Sequence, residues 1–169
     1  MHTISIFCGL QKLNTLNLRH FHPPLNPCNH FSTVLTKTNW NTISCKYNGC
    51  SSLKSINIPS SVTWIGSETF CGCSSLKSVN IPSSVTGIGN STFEGCSSLT
   101  SVKIPSSVTK IGEKAFYDCN SLKSIYVFAE DVPSTGTGAF DGCDSKNCTV
   151  YVPKGTYDAY WLSEFGYFK

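Results

Sequence analysis

Cys73-Ser-Ser-Leu-Lys-Ser-Val-Asn-Ile-Pro-Ser-Ser-Val-Thr-Gly-Ile-Gly-Asn-Ser-Thr-Phe-Glu-Gly95 is followed at Cys96 by a nearly unchanged second copy of itself. An earlier copy begins at Cys50 and a looser one at Cys119, which puts four cysteines in register at a period of 23 residues. Leu53, Leu76, Leu99 and Leu122 keep the same step, as do Ile65, Ile88 and Ile111, and Phe70, Phe93 and Phe116. A fixed period of this length defines a repeat solenoid, in which each copy is one coil stacked on the last. A single coil cannot bury its own apolar face, so stacking must supply the stability.

Each coil divides into three parts. Leu53-x-x-Ile56-x-Ile58 predicts a short strand, with Ile56 and Ile58 inward and Ser55 and Asn57 outward. Pro59 ends it, because proline has no N–H to donate to a ladder. Val62-x-x-Ile65 is a second inward-facing segment on the opposite side of the coil. Gly66, Gly89 and Gly112 follow it and predict a turn at positive φ. Residues 67–72 then predict a single helical turn that points Phe70 inward. It closes on Gly49, Gly72, Gly95, Asp118 and Gly142 in successive copies, residues that tolerate the left-handed conformation. Ten cysteines in a chain this short could signal disulfide staples. Cys50, Cys73, Cys96 and Cys119 instead occupy one repeat position. They are expected to form a column of free, buried thiols, although coils about 4.8 Å apart bring neighbours within bonding reach.

Outside the clean repeats the composition changes. Lys12, Arg19, Lys37, Lys46 and Lys54 all precede the first acid, Glu68, and all four histidines lie within the first thirty residues. Residues 1–46 therefore read as an irregular segment containing one degenerate coil over 7–18, with 19–46 too irregular for a regular coil and readable as a loop, a poor cap or a mis-translated start. Residues 47–148 form the solenoid, and 149–169 a cap in which Tyr157, Tyr160, Trp161 and Phe165 of a short helix cover the open end. Residues 128–138, with Pro133, Gly136 and Gly138, read as an insertion-like turn. A net charge of +3 is too small to argue for nucleic acid. No apolar run reaches the length of a membrane span, and the first residues make a poor signal peptide.

The pattern Leu-x-x-[IV]-x-Ile-Pro-x-x-Val-x-x-Ile-Gly-x-x-[TA]-Phe-x-x-Cys-x-x-Leu, running from about Gly49 to Tyr160, resembles the BspA-like leucine-rich repeat family. The resemblance implies a leucine-rich-repeat solenoid of short strands in parallel ladders, one short helical turn per coil and a C-terminal capping helix. It also implies a secreted or surface-attached protein, as in anaerobic gut and oral bacteria and some parasitic protists, and in some members an adhesin.

For chemistry the repeats offer little. They contain no histidine, so no Ser-His-Asp or Cys-His constellation can be assembled within them, and an enzyme is not expected. His20, His22, Cys28 and His30, and the pair Cys71 and Cys73, lack structural zinc spacing and read as incidental. No metal and no cofactor are expected. The sequons at Asn90 and Asn147 matter only in a eukaryotic secretory source. What remains is the outward strand stripe: Lys54, Lys77, Thr100 and Lys123 in one row, Asn57, Asn80, Lys103 and Tyr126 in another. Lysines without acids favour an acidic partner surface or glycan. Trp64, whose repeat equivalents are Gly87 and Lys110, is a further contact candidate or a cover for residues 19–46. The expected function is a monomeric protein-interaction module, adhesin-like, binding host matrix or cell-surface proteins. The alternative is a structural repeat piece of a larger surface protein.

Overall fold

The computed structural model describes residues 32–34, 41–44 and 46–168. Two parallel ladders run along the stack. The first joins β1 (Ser32–Val34), β3 (Ser55–Asn57), β5 (Ser78–Asn80), β7 (Ser101–Ile104), β9 (Ser124–Val127) and β11 (Thr149–Tyr151) in that order. The second joins β2 (Thr42–Ile43), β4 (Trp64–Ile65), β6 (Gly87–Ile88), β8 (Lys110–Ile111) and β10 (Ser134–Thr135). Register follows the repeat: Ile56 lies beside Val79, Val79 beside Val102, and Val102 beside Ile125. The solenoid expected from the period is therefore the fold.

The core is a set of columns. Leu53, Leu76, Leu99 and Leu122, and Ile65, Ile88 and Ile111, are all at most 1% exposed. Phe70, Phe93, Phe116 and Phe140 stack face to face at 5.2 to 5.3 Å. Tyr47 heads this column 5.4 Å from Phe70, at the same 23-residue step as the phenylalanines. The expected helical turn is a run of hydrogen-bonded turns; Cys73 N–H donates to the Phe70 carbonyl at 3.1 Å and Cys96 N–H to that of Phe93.

Several expectations change. Gly66, Gly89 and Gly112 are not at positive φ. They mark close approach between coils: a Cβ on Gly89 would lie 2.5 Å from the Ser67 nitrogen, and one on Gly112 2.5 Å from the Gly89 carbonyl carbon. Positive φ falls two residues later, at Glu68, Ser91 and Lys114, with Gly138 as the fourth member. The turn-closing series Gly49, Gly72, Gly95, Asp118 and Gly142 is left-handed throughout, with φ between 56° and 78°. Residues 128–138 do carry one extra residue, since Ser134 and Thr135 pair with Lys110 and Ile111 at a step of 24 rather than 23, but they still extend the second ladder instead of looping out of it. Upstream, Ser32 pairs with Ser55 and Thr42 with Trp64, so strand pairing reaches into 19–46, the stretch expected to lack a coil. Pairing uses backbone N–H and C=O groups, so it does not need the leucine and cysteine pattern by which the later coils are read. The degenerate coil over 7–18 lies outside the described residues.

The thiol column also needs one correction. Cys73, Cys96, Cys119 and Cys143 are free and buried, but Cys50 is disulfide-bonded. Each free thiol donates to the carbonyl of the aromatic residue one coil back, from Cys73 to Tyr47 at 3.1 Å through Cys143 to Phe116 at 3.3 Å. Each of these carbonyls already accepts the N–H of the cysteine three residues on in its own coil, so the S–H of the next coil is a second donor that ties neighbouring coils together.

The cap consists of α1 (Tyr157–Trp161) and a 3-10 turn (Glu164–Tyr167). Tyr160, Phe165 and Phe168 are buried, and Phe165 and Phe168 close the aromatic column 5.2 and 5.6 Å from Phe140. Tyr160 Oη donates to the Ala129 carbonyl at 2.7 Å. Tyr157 and Trp161, expected to cover the end, are instead 64% and 54% exposed and stack on each other. A helix of five residues can turn only one face to the core, and Tyr160 occupies it.

Candidate functional site

The outward face of the first ladder is built by strand alternation. Ile56, Val79, Val102 and Ile125 point inward, so the residues on either side of each face solvent. Lys54, Lys77, Thr100 and Lys123 are exposed, as are Asn57, Asn80 and Lys103, while Tyr126 is half-buried. Asn57, Asn80, Lys103 and Tyr126 are successive partners across the strands, so they form one continuous row. The Thr100 hydroxyl leans back to the Lys77 carbonyl at 3.4 Å and belongs partly to the backbone. Neither row contains Asp or Glu.

The row does not end at Tyr126. Tyr151 is its partner on β11, and the two phenol rings stack at 4.6 Å with 9° between their planes. Tyr151 is 48% exposed, and Phe128, on the outward side two residues beyond Tyr126, is 53% exposed. The sequence reading missed both. The signal was available, since Phe128 stands where the preceding coils carry Pro59, Pro82 and Pro105, and Tyr151 where they carry Asn or Lys.

Trp64 is half-buried and lies across the next coil. A Cβ on Gly87 would fall 2.0 Å from its six-membered ring, so glycine at 87 makes room for the indole. The indole therefore covers the coil on its C-terminal side. Among the described residues no cluster of three His, Cys, Asp or Glu side chains could hold a metal ion. A mainly apolar cleft of about 120 Å³ lies between β11 and the cap, lined by Val150, Val152, Tyr157, Tyr160 and Trp161 among others. Among the described residues no helix is long and apolar enough to cross a membrane.

Two parallel ladders of short strands, closed by turns and displaying a regular outward stripe, define a leucine-rich-repeat type of β-solenoid. The chain belongs to the BspA type leucine rich repeat family, whose pattern matches residues 28–158 in 6 copies. This is a family of protein-interaction repeats. A crystal structure of a T. pallidum leucine rich repeat protein is similar, with 31% identity and a TM-score of 0.61, over 66% of this chain and 54% of that one. A leucine rich cell surface protein from Faecalibacterium prausnitzii A2-165 is similar at 26% identity with a TM-score of 0.65. That alignment covers 76% of this chain and 34% of the other, so the present chain spans about half or less of either relative. A comparison with curated proteins gives no match.

Proposed function

We propose that this chain is a non-enzymatic protein-binding module, adhesin-like and displayed at a cell surface or secreted. Its ligand is a host matrix or cell-surface protein, or an acidic glycan. The binding surface is the outward stripe of Lys54, Lys77, Thr100, Lys123, Asn57, Asn80, Lys103 and Tyr126, with the uncovered part of Trp64 as a further contact. One observation carries this reading: four lysines on a rigid ladder face whose two rows contain no acid. A fixed basic surface raises the encounter rate with acidic partners and disfavours basic ones. Domain limits at 46/47 and 148/149, and a monomeric state, complete the proposal. Reversing Lys54, Lys77, Lys103 and Lys123 together to Glu should weaken adhesion to matrix protein or host cells at least about ten-fold. The thermal transition should survive; unaltered adhesion would sink the assignment to this face.

A second reading has its own support. The chain spans only 54% and 34% of the two similar solved proteins, which fits a structural piece of a larger surface protein with no binding of its own. Under that reading residues 47–169 would retain nothing from host matrix above the level of a charge-matched control protein.

A further inference from the structure

The composition of the outward row changes along the stack. It runs from amide (Asn57, Asn80) to cation (Lys103) to phenol (Tyr126, Tyr151), each residue beside the next across the strands. Strands in a sheet lie about 4.8 Å apart, so Lys103 sits immediately beside the tyrosine pair. Phe128 adds a third ring at the level where earlier coils carry proline.

Packing accounts for part of this. A stacked cross-strand pair stabilises an edge strand, and β11 is the last strand of its ladder among the described residues. It does not account for Phe128. Its N–H donates to the Ile104 carbonyl at 3.0 Å, but its side chain is half open to solvent and no ring among the described residues stacks on it. Three partly exposed rings, on β9, on β11 and at the residue just past β9, bordered by lysine, have the composition of an interface anchor, in which aromatic side chains supply most of the energy.

The surrounding charge is lopsided. Lys103 and Lys77 lie toward the first coils, and Lys123 immediately precedes β9, the strand that carries Tyr126. Glu130 and Asp131 are exposed just beyond Phe128. Carboxylates on a partner would be attracted on the lysine side and repelled on the other.

We propose that Tyr126, Phe128 and Tyr151 form an anchor for an acidic polypeptide segment that bears an aromatic side chain. The segment runs across the strands, with its ring against the three aromatics and its carboxylates over Lys103, Lys123 and Lys77. The site rests on the strand-face reading above and narrows its ligand to a polypeptide. The polypeptide is chosen because clustered, partly exposed rings beside lysine match the aromatic anchors of protein interfaces and the family is one of protein-interaction repeats; the heparin arm below tests the glycan.

Three soluble probes test this on the whole chain: a Glu–Tyr copolymer, poly-Glu of matched length, and heparin. The copolymer should bind at least about ten-fold tighter than poly-Glu, the scale of one aromatic hot spot. Tyr151→Thr combined with Phe128→Thr keeps both N–H groups and a strand-forming residue at 151, and should bring the copolymer down to the poly-Glu level. Lys77→Glu with Lys103→Glu should weaken both polymers alike. If the threonine variant melts early, Tyr126→Leu, which keeps apolar packing under Tyr151, serves as the second test. Equal affinity for the two polymers, or indifference to the aromatic substitutions, overturns the anchor while a lysine effect would leave the strand face standing. Heparin as the tightest ligand would transfer the face to acidic glycans, and no binding to any probe would reject anchor and face together.

Discussion

At the residue scale, the repeat column isolates one atom. Tyr47 occupies a phenylalanine position and is fully buried, yet its hydroxyl has no hydrogen-bond partner among the described residues. Burial pushes its pKa up to about 12, as expected for a phenol kept from water. A buried unsatisfied donor costs about 1–3 kcal/mol. Tyr47→Phe should therefore be neutral or stabilising by about 1 kcal/mol in denaturant titration. Phe93→Ala, which opens the same column further along, should cost about 3–5 kcal/mol. A large loss in Tyr47→Phe would mean that the hydroxyl has a partner after all. Ser91 gives a second test, because it holds φ at 52° where the equivalent fourth coil has Gly138. An L-residue there is strained by about 1–2 kcal/mol, partly offset by the extra freedom glycine gives the unfolded chain. Ser91→Gly should therefore raise stability by up to about 1 kcal/mol, whereas Gly95→Ala, at φ 69°, should lower it.

At the element scale, the ladders could be read from residues and the cap only in part. Leucine, isoleucine and phenylalanine at one step dictate the coils, because apolar side chains recurring at one spacing must share a column. The positions of Gly66, Gly89 and Gly112 were also legible, but not their cause, since a spacing cannot distinguish a left-handed turn from a close approach to the coil below. The strands β1 and β2 escaped because backbone pairing leaves little trace in side-chain pattern. On the candidate face, the lysine and asparagine rows could be read from the repeat, whereas Tyr151 lies where the spacing loosens and Phe128 sits at a position whose other members are all proline. In the cap, four aromatics within ten residues announced cover, but only packing decides which of them turn inward. Tyr160 is the one whose role is most specific. Its hydroxyl closes the Ala129 carbonyl, and both groups are buried. Tyr160→Phe removes that bond without emptying volume and should cost about 1–2 kcal/mol. A thermal midpoint lowered by a few degrees would register it. Trp161→Ala, which truncates an exposed ring, should move the midpoint far less.

At the scale of the whole molecule, the thiols tie the stack to pH. Burial is the main cause that raises them from an ordinary 9.0, to about 12 at Cys73 and Cys143 and upward also at Cys96 and Cys119, with neighbouring thiols adding to the effect. A raised pKa means that the folded chain keeps a proton the unfolded chain releases. The associated stability is complete below pH 9 and declines as pH climbs from 9 toward 12. Each such thiol contributes about 1.4 kcal/mol per pH unit across that window. Because the thiols lie in consecutive coils and every coil is buried by its neighbours, their losses fall on one structure. The solenoid should therefore hold a flat stability plateau through neutral pH and unfold over a narrow range above pH 9. Denaturant midpoints measured at intervals from pH 7 to 11 would trace this decline, under argon with a metal chelator so that the free thiols are not oxidised and the Cys50 disulfide stays intact. Cys96→Ala separates proton linkage from packing: it should lower the plateau by leaving a small cavity, yet make the fall above pH 9 shallower by one thiol. If the slopes of variant and parent are equal, the alkaline limit lies elsewhere, and the phenols of Tyr47 and Tyr160, both raised to about 12 mainly by burial, become the groups to replace next.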